Sequence, residues 1–211
     1  MIAYTHCIWD FNGTILDDVE TGILSVNTML DKRGLRTIES KEEYRTLFHF
    51  PVIDYYRSLG FDFEKESYEK LAPEWVALYL EHVKHARMHP DVKETLSYFQ
   101  SLGIRQTILS ATEQQMLLEQ VESLGIGHFF DEILGMDNIH AGSKLSLAVD
   151  WRRRHPDARV MFVGDTDHDV STAKAMDADC FLIAVGHQSK EHLRSTGVPV
   201  FSSLTEWRNS L

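Results

Sequence analysis

The order of apolar and polar positions changes texture twice along the chain. The stretch YTHCIW (4–9) mixes aromatic, β-branched and apolar residues and runs into Asp10-Phe11-Asn12-Gly13, which reads as a strand ending in a turn. From about 17 to 85, apolar residues recur at spacings of three and four in VETGILSVNTMLDKRG, YRTLFHF, PVIDYYRSLG and YEKLAPEWVALYLEHVKHA. That period predicts helices and no confident strand. After His89-Pro90 the texture alternates. The predicted helices are VKETLSYFQSLG, EQQMLLEQVESLG, a segment from about Ser143 to Arg154 and VSTAKAMD. The predicted strands are IRQTILS, RVMFVG, CFLIAVG and a last short VPVF before LTEWRNSL, with a short apolar FDEILG after the second helix. Such alternation implies βαβ units and a parallel sheet covered on both faces.

Ligands of open α/β sheets sit beyond the carboxyl ends of the strands. Four segments bring polar residues to that edge: Asp10, Ser110, the loop holding Lys144, and Gly164-Asp165. With no internal repeat or long linker in view, the helical stretch reads as an insertion into the α/β unit.

Composition narrows the setting. The chain has 211 residues, 43% of them hydrophobic and 25% charged, which suits a globular protein with a substantial core. No apolar run approaches the roughly 20 residues needed to cross a bilayer. The N-terminus lacks the features of a secretory signal, so a cytoplasmic protein is expected. Cys7 and Cys180 lie in apolar strand-like runs and read as buried free thiols. A formal net charge of −11 opposes nucleic acid and anionic membranes as partners. The basic run WRRRH (151–155) reads as the solvated end of a helix. A small anion can bind only where local donors outweigh the overall field.

The acids of GDTDHD (164–169) place Asp165, Asp167 and Asp169 within five residues. Close carboxylates raise one another's pKa unless a cation intervenes, and acids at a helix start also serve as caps. An EF-hand is excluded, because its sixth and twelfth positions would be Val170 and Met176. Around Lys144 a Walker A loop is excluded, because Asp137 stands where its first glycine belongs and Leu145 follows the lysine. Ser110 lacks the flanking glycines of a nucleophile elbow. It suits a hydroxyl donor to phosphate beside the Ala111 N–H, or a cap for the helix that begins near Glu113.

Taken in order, Asp10-Phe-Asn-Gly-Thr14, Ser110, Lys144 and Gly164-Asp165-x-x-x-Asp169 resemble the haloacid dehalogenase-like hydrolase superfamily. The helical insertion resembles the phosphoglycolate phosphatase-like branch. The resemblance implies a doubly wound, Rossmann-like parallel-sheet α/β core over 1–16 and 86–211 with an inserted α-helical cap over 17–85. It implies that Asp10 is the nucleophile and forms an aspartyl phosphate. Mg2+ would be held by Asp10, the main-chain carbonyl of Asn12, Asp165 and Asp169. Ser110 and Lys144 would bind the transferring phosphoryl oxygens. Gly13 would let backbone N–H groups approach the phosphate, and Thr14 would brace the loop. The implied substrate is a small phosphorylated metabolite, and the implied assembly a monomer or homodimer. His49, Phe50 and Arg57 are the cap residues expected to face the substrate, because LFHFP precedes a proline-started helix.

One position departs from that pattern. Phosphatases of this superfamily carry a second aspartate two residues after the nucleophile, which protonates the leaving oxygen and then activates water. Asn12 cannot exchange a proton in this range. Acid–base assistance contributes about 10²–10⁴-fold, or roughly 3–5 kcal/mol of barrier, so an ordinary alkyl phosphate should turn over slowly. Three escapes are open: a good leaving group such as an acyl or aryl phosphate, another base such as Asp167, His168 or His49, or binding with little turnover. The last makes a phosphate-binding or regulatory protein the rival reading. The Schiff-base lysine of phosphonoacetaldehyde hydrolases has only Lys32 and Lys41 as counterparts, both of which read as surface residues.

Overall fold

A computed structural model describes residues 3–136 and 144–211. The apolar run before Asp10 forms β1 (His6–Trp9), and its alternation is buried on both sides. Cys7 and Trp9 belong to one apolar cluster, and Ile8 belongs to another. This is the pattern of a strand at the centre of a parallel sheet.

From β1 the chain enters a two-residue strand, β2 (Leu16–Asp17), then four helices: α1 (Val19–Asp31), α2 (Lys41–Leu47), α3 (Val52–Ser58) and α4 (Tyr68–His82). It returns through β3 (Arg87–Met88). Strands β2 and β3 pair antiparallel, Leu16 with Met88, so the chain leaves and re-enters through adjacent strands. Residue 17, expected to be helical, lies in this ribbon; two residues are too few for alternation to reveal a strand. The helices pack around their own cluster, including Val26, Met29, Leu30, Tyr55, Tyr56 and Leu71.

The remaining chain alternates as the sequence predicts: α5 (Val92–Ser101), β4 (Arg105–Glu113), α6 (Gln114–Leu124), β5 (Glu132–Met136), α7 (Lys144–Arg154), β6 (Val160–Gly164), α8 (Asp167–Ala175) and β7 (Asp179–Ile183). A short helix α9 (Lys190–Ser195), which the pattern did not reveal, precedes β8 (Val200–Phe201) and α10 (Leu204–Ser210). The six strands of the main sheet lie in the order β5-β4-β1-β6-β7-β8, all parallel. From β1 the chain first winds toward β5 and then, from β6, toward β8. The winding direction thus reverses at β1, where doubly wound sheets bind ligands.

Register does the rest. Trp9 pairs with Ile108 on one side and Val163 on the other. One residue further along, Asp10 donates its N–H to Val163 O at 2.8 Å. Asp10, Ser110 and Asp165 therefore emerge at one carboxyl edge. Trp9 anchors this edge from below through Gln106 Oε1 at 3.2 Å and an edge-on contact with Trp207. Cys7 and Cys180 are buried free thiols, as expected. Among the described residues no helix is long and apolar enough to cross a membrane.

Candidate active site

Asp10 sits at the end of β1, 7% exposed. Asp165 closes β6, and Asp169 lies in the first turn of α8; both are buried. One carboxylate oxygen from each of Asp10, Asp165 and Asp169 lies within 4.8 Å of the others. Lys144, the first described residue of α7 and 5% exposed, donates its ammonium to Asp10 Oδ1 and, at 2.6 Å, to Asp169 Oδ1. The expected start of this helix at Ser143, and the Asp137 and Gly142 positions used to exclude a Walker A loop, lie outside the described residues.

Three buried carboxylates against one ammonium leave the cluster short of positive charge. Burial pushes Asp10 well above the usual carboxylate range, with Asp169 and Asp165 adding to the rise and Lys144 opposing it. Asp165 is raised by burial and by Asp169, against the pull of His187. Burial lowers the Lys144 pKa, but Asp10 and Asp169 outweigh it, so the side chain stays an ammonium. A hard divalent cation suits such a set of carboxylate oxygens and would supply the missing charge.

Thr14 braces the loop by donating to Asp165 Oδ1 at 2.8 Å. Gly13 adopts φ +77, and a Cβ there would meet Asp165 Oδ2 at 2.3 Å. Its N–H donates to Asp18 Oδ1 at 2.8 Å and to Leu16 O at 2.9 Å. The close approach of Asp165 is one reason the position requires glycine. Ser110 is buried and bonds Thr112 Oγ1 at 3.1 Å. Strand β4 runs past it to Glu113, so Ser110 and Ala111 lie within the strand rather than after it. The cap of α6 is Glu113, whose carboxylate accepts from Gln115 N and Met116 N, which removes capping as an explanation for Ser110.

Asn12 is held from every direction. Its amide nitrogen donates to Asp18 Oδ2 at 2.9 Å and to the Tyr79 hydroxyl at 2.7 Å, and its oxygen accepts from Thr112 Oγ1 at 2.7 Å. An ionised Asp18 can only accept, which fixes the orientation of the amide. Asp18, 1% exposed, also accepts from Tyr79 at 2.6 Å and pairs with His187 Nε2 at 3.1 Å. Burial raises Asp18, but His187, Tyr79 and Asn12 together bring it below the usual range. Burial alone would lower His187, but Asp18 holds it at about 9. Tyr44 Oη lies 2.9 Å from His187 Nδ1, and the His187 main-chain N–H donates to Asp165 Oδ2 at 2.7 Å. Arg45 of α2 fixes the same loop through Gly186 O and Val185 O, at 2.8 and 2.6 Å.

Sequence reasoning did not single out Asp18, Tyr44, Tyr79, Thr112 or His187 for this site. The signal for His187 was its place in the loop after CFLIAVG, a further strand end at the same edge. Of the cap residues expected to face substrate, Phe50 reaches across to the His168 ring at 5.1 Å. His49 bonds Leu47 O and packs edge-on to Tyr55. Arg57 instead pairs with Asp54 and lies over Phe63 on the exposed side of α3. Asp167 is turned toward His192 and Gln188 at 2.9 and 3.0 Å. Burial and Lys144 lower His168 below its ordinary pKa. Lys32 and Lys41 pair with Glu74 and Glu20 away from the site.

Comparison with known proteins gives a consistent assignment. The family described as haloacid dehalogenase-like hydrolase matches residues 7–183. A phosphoglycolate phosphatase of Pseudomonas syringae pv. tomato is 22% identical over 188 residues, 85% of this chain and 69% of its own length. A haloacid dehalogenase-like family hydrolase from Streptococcus pneumoniae superposes with a TM-score of 0.78 at 19% identity, covering 100% of this chain and 99% of its own. The Protein Tyrosine Kinase A of Mycobacterium tuberculosis does so with a TM-score of 0.81 at 20% identity, covering 98% and 97%. At these identities the structural likeness is one of fold.

Proposed function

The chain belongs to the haloacid dehalogenase-like hydrolases, and from that premise we propose that it hydrolyses a small phosphate monoester through an aspartyl phosphate on Asp10. The observation that carries the reading is the Asp10, Asp165, Asp169 cluster bridged by Lys144 at the reversal point of the sheet. Mg2+ would be held by Asp10, Asp165, Asp169 and the main-chain carbonyl of Asn12. When bound it supplies positive charge to the phosphoryl oxygens.

The side chains divide the remaining work. Lys144 orients the Asp10 carboxylate and offers its ammonium to the phosphoryl group, and Ser110 adds a hydroxyl donor. Asp10 attacks phosphorus as the bond to the leaving oxygen breaks; water then attacks the same phosphorus and frees the carboxylate. Helices α1–α4 act as a cap that excludes water, with Phe50 against His168 on its inner side. Asn12 keeps the loop in place and moves no proton, so leaving groups that need protonation react slowly. The relative's name supports a phosphorylated metabolite as substrate.

The test is phosphate release from acetyl phosphate with Mg2+. Release that disappears with a chelator and in Asp10→Asn is expected; release that survives Asp10→Asn refutes the covalent route. The locked Asn12 amide favours a second reading, phosphate binding with little turnover, which predicts tight inorganic phosphate binding and no release from any phosphate ester.

A further inference from the structure

The loop between β7 and α9, residues 184–189, touches the carboxylate cluster on one side and the helical insertion on the other. Toward the cluster, the His187 main-chain N–H donates to Asp165 Oδ2 at 2.7 Å. Gly186 lies so close that an added Cβ would collide with the same oxygen and stand 2.6 Å from Gly13 O. Gln188, 1% exposed, accepts from the Asp167 N–H at 2.8 Å and donates to Asp167 Oδ1 at 3.0 Å. It thereby fixes the first turn of α8, where Asp169 sits.

Toward the insertion, the same loop is held by α2. Arg45 donates from Nε to Gly186 O at 2.8 Å and from Nη2 to Val185 O at 2.6 Å, and its own carbonyl accepts from Ser189 N at 3.0 Å. Tyr44 Oη lies 2.9 Å from His187 Nδ1, and the Phe48 ring lies 5.5 Å from the His187 ring. The insertion joins the α/β unit through β2 and β3, two residues each. So narrow a connection leaves the placement of α2 to side-chain contacts, and α2 in turn fixes the carbonyls of 185 and 186.

Asp165 depends on that support. Its other oxygen, Oδ1, accepts from Thr14 Oγ1 at 2.8 Å. With both donors in place the carboxylate is fixed at both oxygens, and each keeps a further lone pair for a cation. If the loop shifts, the carboxylate can turn about Oδ1 and no longer stands ready for the metal. Donors that orient a metal ligand are worth about 10–100-fold in metal affinity. We infer that Arg45 is a positioning residue for the metal: docking of α2 on the 184–189 loop aims Asp165, so Mg2+ affinity depends on a cap side chain outside the carboxylate cluster. The inference rests on Asp165 as a metal ligand. Coupling is reciprocal, so bound Mg2+ holds α2 against the loop.

Two measurements test this: calorimetric titration of Mg2+ into wild type, Arg45→Ala, Lys41→Ala and Asp165→Asn, and hydrogen exchange of wild type with and without Mg2+. Arg45→Ala should weaken Mg2+ binding by at least about ten-fold. Lys41→Ala is the control on the same helix; its ammonium reaches Glu20 at 3.7 Å, away from the loop, and its Kd should match wild type. In wild type, Mg2+ should slow exchange of peptides covering 41–48 and 184–189 by at least about five-fold. That measurement carries the test should Arg45→Ala not fold. Weakening of under about ten-fold in Arg45→Ala, an equal loss in Lys41→Ala, or exchange over 41–48 indifferent to Mg2+ overturns the coupling and leaves the hydrolase reading standing. Wild type without Asp165-dependent Mg2+ binding overturns both.

Discussion

Replacing Asn12 with the aspartate its relatives' pattern calls for should destabilise this protein. The amide nitrogen lies 2.9 Å from Asp18 Oδ2 and 2.7 Å from the Tyr79 hydroxyl. A carboxylate oxygen there would face the Asp18 carboxylate at that distance, worth about 6 kcal/mol of repulsion at an effective dielectric of about 20. The chain avoids part of this by keeping the introduced carboxyl protonated, so that its O–H donates to Asp18 as the amide did. Holding a carboxyl with an unfolded pKa of about 3.9 protonated at pH 7 costs about 4 kcal/mol, which sets the penalty. The folded pKa is raised, so the penalty grows by about 1.4 kcal/mol per pH unit above pH 4 and vanishes near pH 4. For a chain of this size the melting temperature at pH 7 should fall by roughly 8–16 °C. Urea unfolding of wild type, Asn12→Asp and Asn12→Asp/Asp18→Asn between pH 4.5 and 8 measures it. The double variant restores a donor–acceptor pair and should show a coupling of at least about 2 kcal/mol. Equal stability of Asn12→Asp and wild type at pH 7, with parallel pH profiles, would refute the argument.

Other expectations follow from the same geometry. The His187 pKa is raised from 6.5 to about 9, so its contribution is fully present below about pH 6.5 and disappears as pH rises through 9. Unfolding free energy should drop by about 3 kcal/mol over that interval, and His187→Gln should flatten the decline; a wild-type profile without it contradicts the buried pair with Asp18. Gly13→Ala, at φ +77 and against Asp165, should cost at least about 2 kcal/mol and weaken Mg2+ binding; calorimetric unfolding with and without metal reads both. Mg2+ at a hundred times its Kd should add about 3 kcal/mol of stability, a gain that thermal scans should find abolished in Asp165→Asn. An unchanged gain would mean that the metal binds elsewhere.

Three of the residues legible in the sequence share one property: each directly follows a strand's readable apolar run, Ser110 doing so while still inside β4. Asp10, Ser110 and Asp165 came from that rule, and parallel register brings them together without further information. Lys144 and Asp169 were found through their spacing within the family pattern. Asp18, Tyr44 and Tyr79 come from the helical insertion and the segment leading into it, whose docking depends on tertiary packing that local periodicity does not encode. Their polar atoms are buried only because the insertion folds back over the loop after Asp10. The direction Arg57 takes is unreadable for the same reason, since the heptapeptide α3 carries no sign of which side faces the core. Strands β2 and β3 and helix α9 are too short for a period to register. Asn12 was recognised as anomalous, but only the contacts of its amide explain why an amide suits the place.

The covalent step can be observed directly. Because Asn12 cannot activate water for the second half of the reaction, phosphorylated enzyme should accumulate. Rapid mixing with 4-nitrophenyl phosphate and Mg2+, followed by acid quench and peptide mass spectrometry, should give a burst of nitrophenol approaching one per chain and a phosphoryl group on the peptide containing Asp10, both absent in Asp10→Asn. Steady turnover with no burst and no modified Asp10 peptide, or turnover that persists in Asp10→Asn, would contradict the account.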